Sequence, residues 1–232
     1  MATMPWRHPW TSLIYGPTSS GKSVFVARFL KHLEIMSDTK FDRIVVYYSE
    51  FQPSYRELGE NVEFREGLPH ASDWAGDIGA KLIIIDDLMA EASSTSGGSV
   101  VANLFTKGSH HNNLSVIYIV QNLFHRNKWQ RDISLNSHYI VVFRNLRDQT
   151  LIQYLSRQLC PQSPLYLQDG YRDATSRPFG YLLLDLKQDT PENCRFRACI
   201  FPDDEYNFVY VPRKNVIKSA DGANEVAVVS AI

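Results

Sequence analysis

The chain has 232 residues, 44% of them hydrophobic and 21% charged, with a formal net charge of −1. This is enough for one α/β domain with a sizeable core, and it excludes a globally basic surface, so any contact with nucleic acid has to come from local patches. No apolar run reaches the length of a membrane span and the N-terminus has no signal-peptide pattern, while Cys160, Cys194 and Cys199 have neither paired nor metal-like spacing and read as free or buried thiols of a reducing compartment.

Residues 1–11 carry Trp6, Arg7, His8, Pro9 and Trp10 and read as an N-terminal arm. The body of the protein is expected over residues 12–217, and it opens on a short apolar strand, Leu13-Ile14-Tyr15. Gly16, Pro17, Thr18, Ser19, Ser20, Gly21, Lys22 and Ser23 follow directly. After them Val26, Phe29, Leu30 and Leu33 recur at helical spacing and predict an amphipathic helix to about Met36. Ile44 to Tyr48 is a β-branched and aromatic strand. Lys81 to Ile85 is a continuous apolar run, as a strand buried on both faces requires, and Val116 to Val120 and Tyr139 to Phe143 repeat it. Helical stretches separate most of these strands, which predicts βαβ units and a mainly parallel sheet flanked by helices. Ala92 to Ser99, rich in Ser and Gly, reads as a mobile loop. Tyr181 to Leu186 and Phe196 to Phe201 read as extra strands at one edge, and 218–232 as a C-terminal tail.

The segment Gly16 to Ser23 is G-x-x-x-x-G-K-[ST], with a strand ahead and a helix behind. Its glycines let the backbone curl so that successive N–H groups face a polyphosphate. The helix behind adds its positive N-terminal end. Lys22 would reach the β- and γ-phosphates, and the Ser23 hydroxyl would ligate Mg²⁺. ATP and Mg²⁺ are therefore the implied cofactors. The third strand ends in Asp86-Asp87. The first acid suits the Mg²⁺ shell and the second suits a general base acting on water; a turn or helix cap is the competing role for such a pair.

The fourth strand ends in Val120-Gln121. In the ATPase branch with strand order 5-1-4-3-2 that end points at the γ-phosphate, where an uncharged donor and acceptor can sense the phosphate and orient water. Arg126, Lys128, Trp129 and Arg131 come next. Cations interleaved with an indole suit a nucleic-acid backbone and a base or sugar, and a solvated loop is the alternative. Arg144, Arg147 and Asp148 close the fifth strand. Arg131 or Arg147 could serve a neighbouring subunit's nucleotide as an arginine finger, or act in structural ion pairs.

Four segments together carry a family resemblance: Gly-Pro-Thr-Ser-Ser-Gly-Lys-Ser, Ile-Ile-Ile-Asp-Asp-Leu, Ile-Val-Gln-Asn-Leu-Phe-His, and the block from Ile133 through Asn136-Ser137-His138-Tyr139 to Asp148. The chain resembles the DNA-packaging ATPases of large eukaryotic DNA viruses. Its nearest counterparts in pattern are those of Polinton-like elements, adintoviruses and virophages, related to the poxvirus enzyme. These are RecA-like P-loop NTPases of the additional-strand class, in the FtsK/HerA branch. The likeness runs from about Leu13 to about Tyr210.

The resemblance implies a homo-oligomeric ring, a pentamer or hexamer, with nucleotide between subunits. It further implies double-stranded DNA as substrate, a capsid vertex or portal-like protein as partner, and a place inside the infected cell and transiently at the capsid vertex or in the virion. Relatives of the FtsK type often carry the trans-acting arginine just before the fourth strand. Here that stretch is Lys107-Gly108-Ser109-His110-His111, without arginine, which leaves Lys107 or the arginines at 126, 131, 144 and 147. Two other classes remain open at this point: a P-loop kinase, and a nucleotide-gated virion assembly protein without turnover.

Overall fold

The computed structural model describes residues 4–73, 78–88, 92, 95–109, 112–121, 128–212 and 226–230. Its strands are β1 (Thr11–Tyr15), β2 (Arg43–Tyr48), β3 (Val62–Glu66), β4 (Lys81–Asp86), β5 (Leu114–Val120), β6 (Tyr139–Phe143), β7 (Tyr181–Asp185), β8 (Phe196–Ala198), β9 (Phe208–Pro212) and β10 (Val226–Ser230). They form one sheet in the order β10-β9-β8-β7-β6-β1-β5-β4-β2-β3. From β6 to β3 all neighbours are parallel. From β6 to β10 they are antiparallel. The five strands expected in the order 5-1-4-3-2 are β6, β1, β5, β4 and β2, and they stand in that order. The fold is that of an α/β P-loop NTPase.

The sheet differs from the sequence expectation at its edges. β3 extends the parallel side, and its Val62 and Phe64 alternate with Glu63 and Arg65. An edge strand half open to water takes charged residues on one face, which is why it lacks the apolar run that marks β4 and β5. On the other side β8 is shorter than expected, and β9 and β10 add two strands beyond it.

The main helices are α1 (Lys22–Lys31), α2 (Leu33–Met36), α3 (Thr95–Asn103), α4 (Lys128–Leu135), α5 (Thr150–Leu159) and α6 (Pro164–Ala174). The predicted helix to Met36 breaks at His32, which leaves helical dihedrals. The turn lets the Met36 carbonyl accept the Trp6 N–H at 2.7 Å. Thr95 to Ser99, expected in a mobile loop, are the first turn of α3. Gly97 and Gly98 look like helix breakers in sequence. A Cβ on Gly98 would lie 2.6 Å from Trp129 Cδ1, so the missing side chain is what lets α4 approach α3.

Two apolar clusters lie on the two faces of the sheet. Leu13, Tyr15, Ile83 and Tyr118 face α3, α4, α5 and α6, whose Val101, Ile133, Leu155 and Tyr166 are buried there. Ile14, Ile84 and Ile117 face α1, with Phe25 and Phe29. The residues ahead of β1 contribute to this second face. Trp6 stacks on Tyr139 at 4.3 Å and meets Trp10 edge-on at 4.9 Å. All residues of β4 and β5 are buried, so the central strands form a rigid floor and their carboxyl ends open onto one rim. Among the described residues no helix is long and apolar enough to cross a membrane.

Candidate functional site

The register of the sheet assembles the site. Tyr15 of β1 pairs with Val120 of β5, and Ile119 of β5 pairs with Asp86 of β4. The next residues out, Gly16, Gln121 and Asp87, therefore leave the sheet side by side. The Gly16 N–H donates to the Val120 carbonyl at 3.2 Å and ties the loop to the end of β5.

Backbone shape explains the glycines. Gly21 has φ +106 at the start of α1, and Ser19 is also left-handed at φ 61. A Cβ on Gly16 would come within 2.6 Å of Ser20 Oγ and 2.7 Å of Phe143 Cβ. The loop thus curls tightly against the end of β6. Lys22 is 9% exposed. Its Nζ donates to the carbonyls of Gly16 at 2.7 Å and Pro17 at 2.9 Å. Burial pulls the ammonium below the usual lysine range, and the nearby Asp86 and Asp87 oppose that shift. A buried cation beside its own loop suits a polyphosphate partner.

Three side chains link the loop to the acids. Thr18 Oγ1 donates to Gln121 Oε1 at 3.0 Å, and Gln121 Nε2 donates to Asp87 Oδ1 at 2.9 Å. Gln121 uses both ends of its amide, so its orientation is set by the chain itself. Asp87 takes φ 54, a conformation aspartate tolerates better than most residues, and its side chain is exposed on the rim. Asp86 is the opposite case, 6% exposed. Burial raises its pKa above the ordinary carboxylate value; the Tyr55 hydroxyl, which donates to Oδ2 at 2.8 Å, and Lys22 act the other way, and Asp87 adds to the rise.

The residues fit a divalent cation beside the phosphates. Ser23 and Asp86 line one cavity of about 300 Å³, together with Tyr55. Ser20 Oγ is buried in the loop without a hydrogen-bond partner. A hydroxyl and a carboxylate are the hard oxygen ligands Mg²⁺ takes when substrate phosphates and water complete its shell. A larger cleft of about 1560 Å³, lined by Leu135, His138, Cys160 and Val209 among others, touches none of these residues. The smaller cavity is the one that adjoins the phosphate loop, through Ser23, and holds the buried carboxylate of Asp86.

The other candidates are placed differently. Arg126 lies outside the described residues. Lys128 and Arg131 are exposed on α4. Trp129 is half-buried against Gly98 and the core under α3, with Lys128 Nζ 5.5 Å from its ring. Arg144 and Arg147 are exposed in the loop after β6. Asn145 organises that loop: its Oδ1 accepts from the N–H groups of Arg147 at 3.0 Å and Asp148 at 3.1 Å, and its Nδ2 donates to the Tyr15 hydroxyl at 3.0 Å. Arg147 is thus presented outward by a fixed turn on the same rim as the phosphate loop.

Sequence reasoning missed Tyr55, Asn145 and Phe179. Tyr55 sits in a 3₁₀ turn, Pro53–Glu57, among Tyr48, Phe51 and Phe64. Phe179 borders Gly21 across the loop before β7. Tyr55 and Phe179 belong to no local motif and are brought to the site by long-range packing; Asn145 lies inside the block that ends at Asp148, but its bond to Tyr15 spans 130 residues.

Neither a protein-family model nor a curated protein sequence matches the chain. Solved structures do. The chain is similar to B204, the DNA-packaging ATPase of Sulfolobus Turreted Icosahedral Virus, with a TM-score of 0.55 at 13% identity over 79% of this chain and 95% of that one. It is similar to the genome-packaging NTPase B204 of Sulfolobus turreted icosahedral virus 2 in complex with AMPPCP, with a TM-score of 0.52 at 13% identity over 78% and 94%. The ATP-gammaS complex of the same NTPase gives 0.50 at 12% identity over 82% and 95%. At such identity the likeness is one of fold.

Proposed function

We propose that this chain is an Mg²⁺-dependent ATPase that drives double-stranded DNA into a viral capsid as a homo-oligomeric ring. The observation that carries the reading is the Thr18–Gln121–Asp87 hydrogen-bond chain beside buried Lys22 and Asp86. It joins the phosphate loop to an exposed carboxylate through a residue able to sense a γ-phosphate. The fold shared with viral genome-packaging ATPases supplies the biological direction.

In this reading the loop from Gly16 to Ser23 holds the phosphates and Lys22 neutralises the β- and γ-oxygens. Ser23 and Asp86 would hold Mg²⁺, which when bound neutralises charge on the transferring group. Asp87 accepts a proton from the attacking water, and Gln121 orients that water and reports the phosphate to Thr18. Arg147, or Arg131, would enter the site of a neighbouring subunit as the arginine finger. Arg126, Lys128, Trp129 and Arg131 would contact DNA, with Trp129 also supporting the helix that carries Lys128 and Arg131. The capsid vertex or a portal-like protein would dock the ring.

The test is the ATPase rate of the full chain with and without linear duplex DNA, at low and moderate salt. The reading predicts stimulation that fades as salt rises, because phosphate contacts release counterions. Equal turnover with and without DNA contradicts it and favours a small-molecule kinase.

A further inference from the structure

The sheet order gives the phosphate loop two unlike sides. Gln121 and Asp87 stand on the side of β5 and β4, and Phe143 and Phe179 on the side of β6 and β7. If the γ-phosphate is read on the first side, the nucleoside leaves the loop toward the second. There a Cβ on Gly21 would lie 3.2 Å from Phe179 Cβ and 3.3 Å from Phe179 Cδ1, so the ring lies against the turn that starts α1. Phe179 is nevertheless 69% exposed. Val24, one residue past Ser23, is 64% exposed.

The backbone at Phe179 is the second observation. The Gly180 N–H donates to the Arg177 carbonyl at 3.1 Å and closes a tight turn with Pro178 and Phe179 at its centre. Phe179 has φ 59. The third position of a turn with positive φ normally takes glycine or asparagine. A bulky aromatic residue there is a conformational outlier. Gly180 has no room for a side chain, since a Cβ would meet the Ala174 carbonyl oxygen at 2.5 Å. The turn therefore holds an exposed ring, in an unfavourable conformation, at the mouth of the nucleotide site.

We infer that Phe179 is the platform on which the base of a purine nucleoside triphosphate stacks. A flat apolar face beside the loop matches the π-face of a purine, and a turn fixed at both ends presents that face without ordering cost at binding. The inference rests on the nucleotide reading above and assigns the base end of that site. The stack selects for a base without reading its edge, so purines are favoured over pyrimidines by stacking area.

Equilibrium titration of the full chain with Mg·ATP and with inorganic tripolyphosphate tests it, using Phe179→Gly and Phe179→Tyr. Glycine suits the left-handed turn, so the first variant removes the ring and relieves the backbone; a thermal melt at least as high as that of the wild type checks that it folds. The expected result is an ATP affinity about 5- to 150-fold weaker in Phe179→Gly, the range that base–aromatic stacking implies. Tripolyphosphate binding stays unchanged in that variant, and Phe179→Tyr binds both ligands as the wild type does. Unchanged ATP affinity in Phe179→Gly overturns the inference. So does an equal loss for both ligands, which would mean a damaged loop. A wild type that binds neither ligand overturns the nucleotide reading itself.

Discussion

The rim at the ends of β1, β4 and β5 and the outer surface of α4 both carry charged residues, and they are built in different ways. At the rim, each charge is held by other groups: Lys22 by two loop carbonyls, Asp86 by the Tyr55 hydroxyl, Asp87 by Gln121. On α4, Lys128 and Arg131 stand in water, and the residues fixed by packing are apolar, Trp129 and Ile133. The first region has the order that catalysis needs, because donors aimed in advance cost no reorganisation in the transition state. In the proposed function the second meets a uniform polyanion, where the number of cations matters more than their exact pose.

This contrast can be broken by mutation, and the effects should fall in a definite order. Lys22→Ala removes the buried cation of the rim and should lower ATP turnover by about 10² to 10³-fold, as loss of a preorganised charge donor does. Gln121→Ala cuts both links of the side-chain chain. It should cost about 10²-fold in the rate of phosphate release with ATP affinity nearly intact. Normal turnover in either variant would detach that residue from the chemistry.

Tyr55→Phe is a subtler test. It leaves the buried Asp86 oxygen without its donor, a loss of about 1.5–3 kcal/mol for a hydrogen bond to a charged group. A Mg²⁺ titration of the ATPase should show a half-saturating concentration raised by about 10-fold or more. A variant that loses stability but keeps its Mg²⁺ requirement would make Tyr55 purely structural. The smallest effect belongs to α4. Lys128→Ala combined with Arg131→Ala should reduce the slope of log DNA affinity against log salt by about 1.8. The ATPase rate without DNA should not change. An unchanged slope would remove α4 from the DNA surface.

The same contrast explains what could be read from residues alone. The phosphate loop was legible because its chemistry forces backbone shape, and that shape forces glycine at Gly16 and Gly21. Asp86, Asp87 and Gln121 were legible because they end apolar runs that can only be buried strands. Tyr55 and Phe179 were not, since each reaches the rim from a loop whose position depends on packing between distant elements, and the role of Asn145 was hidden because its partners include Tyr15, far away in the chain. The Gly97-Gly98 pair was misleading for a related reason. Locally it looks like a breaker, and only the approach of Trp129 from α4 shows why α3 keeps it. β3 was hidden because an edge strand spends half its residues on solvent.

The central claim is that this rim hydrolyses a Mg²⁺-bound triphosphate, and phosphate release from ATP by the purified chain tests it most directly. The wild type would be measured with Mg²⁺ and with excess EDTA, beside Lys22→Ala with Mg²⁺. The account predicts release by the wild type with Mg²⁺ only. Release at the wild-type rate in Lys22→Ala, or a wild type that binds Mg·ATP and releases no phosphate, would contradict it.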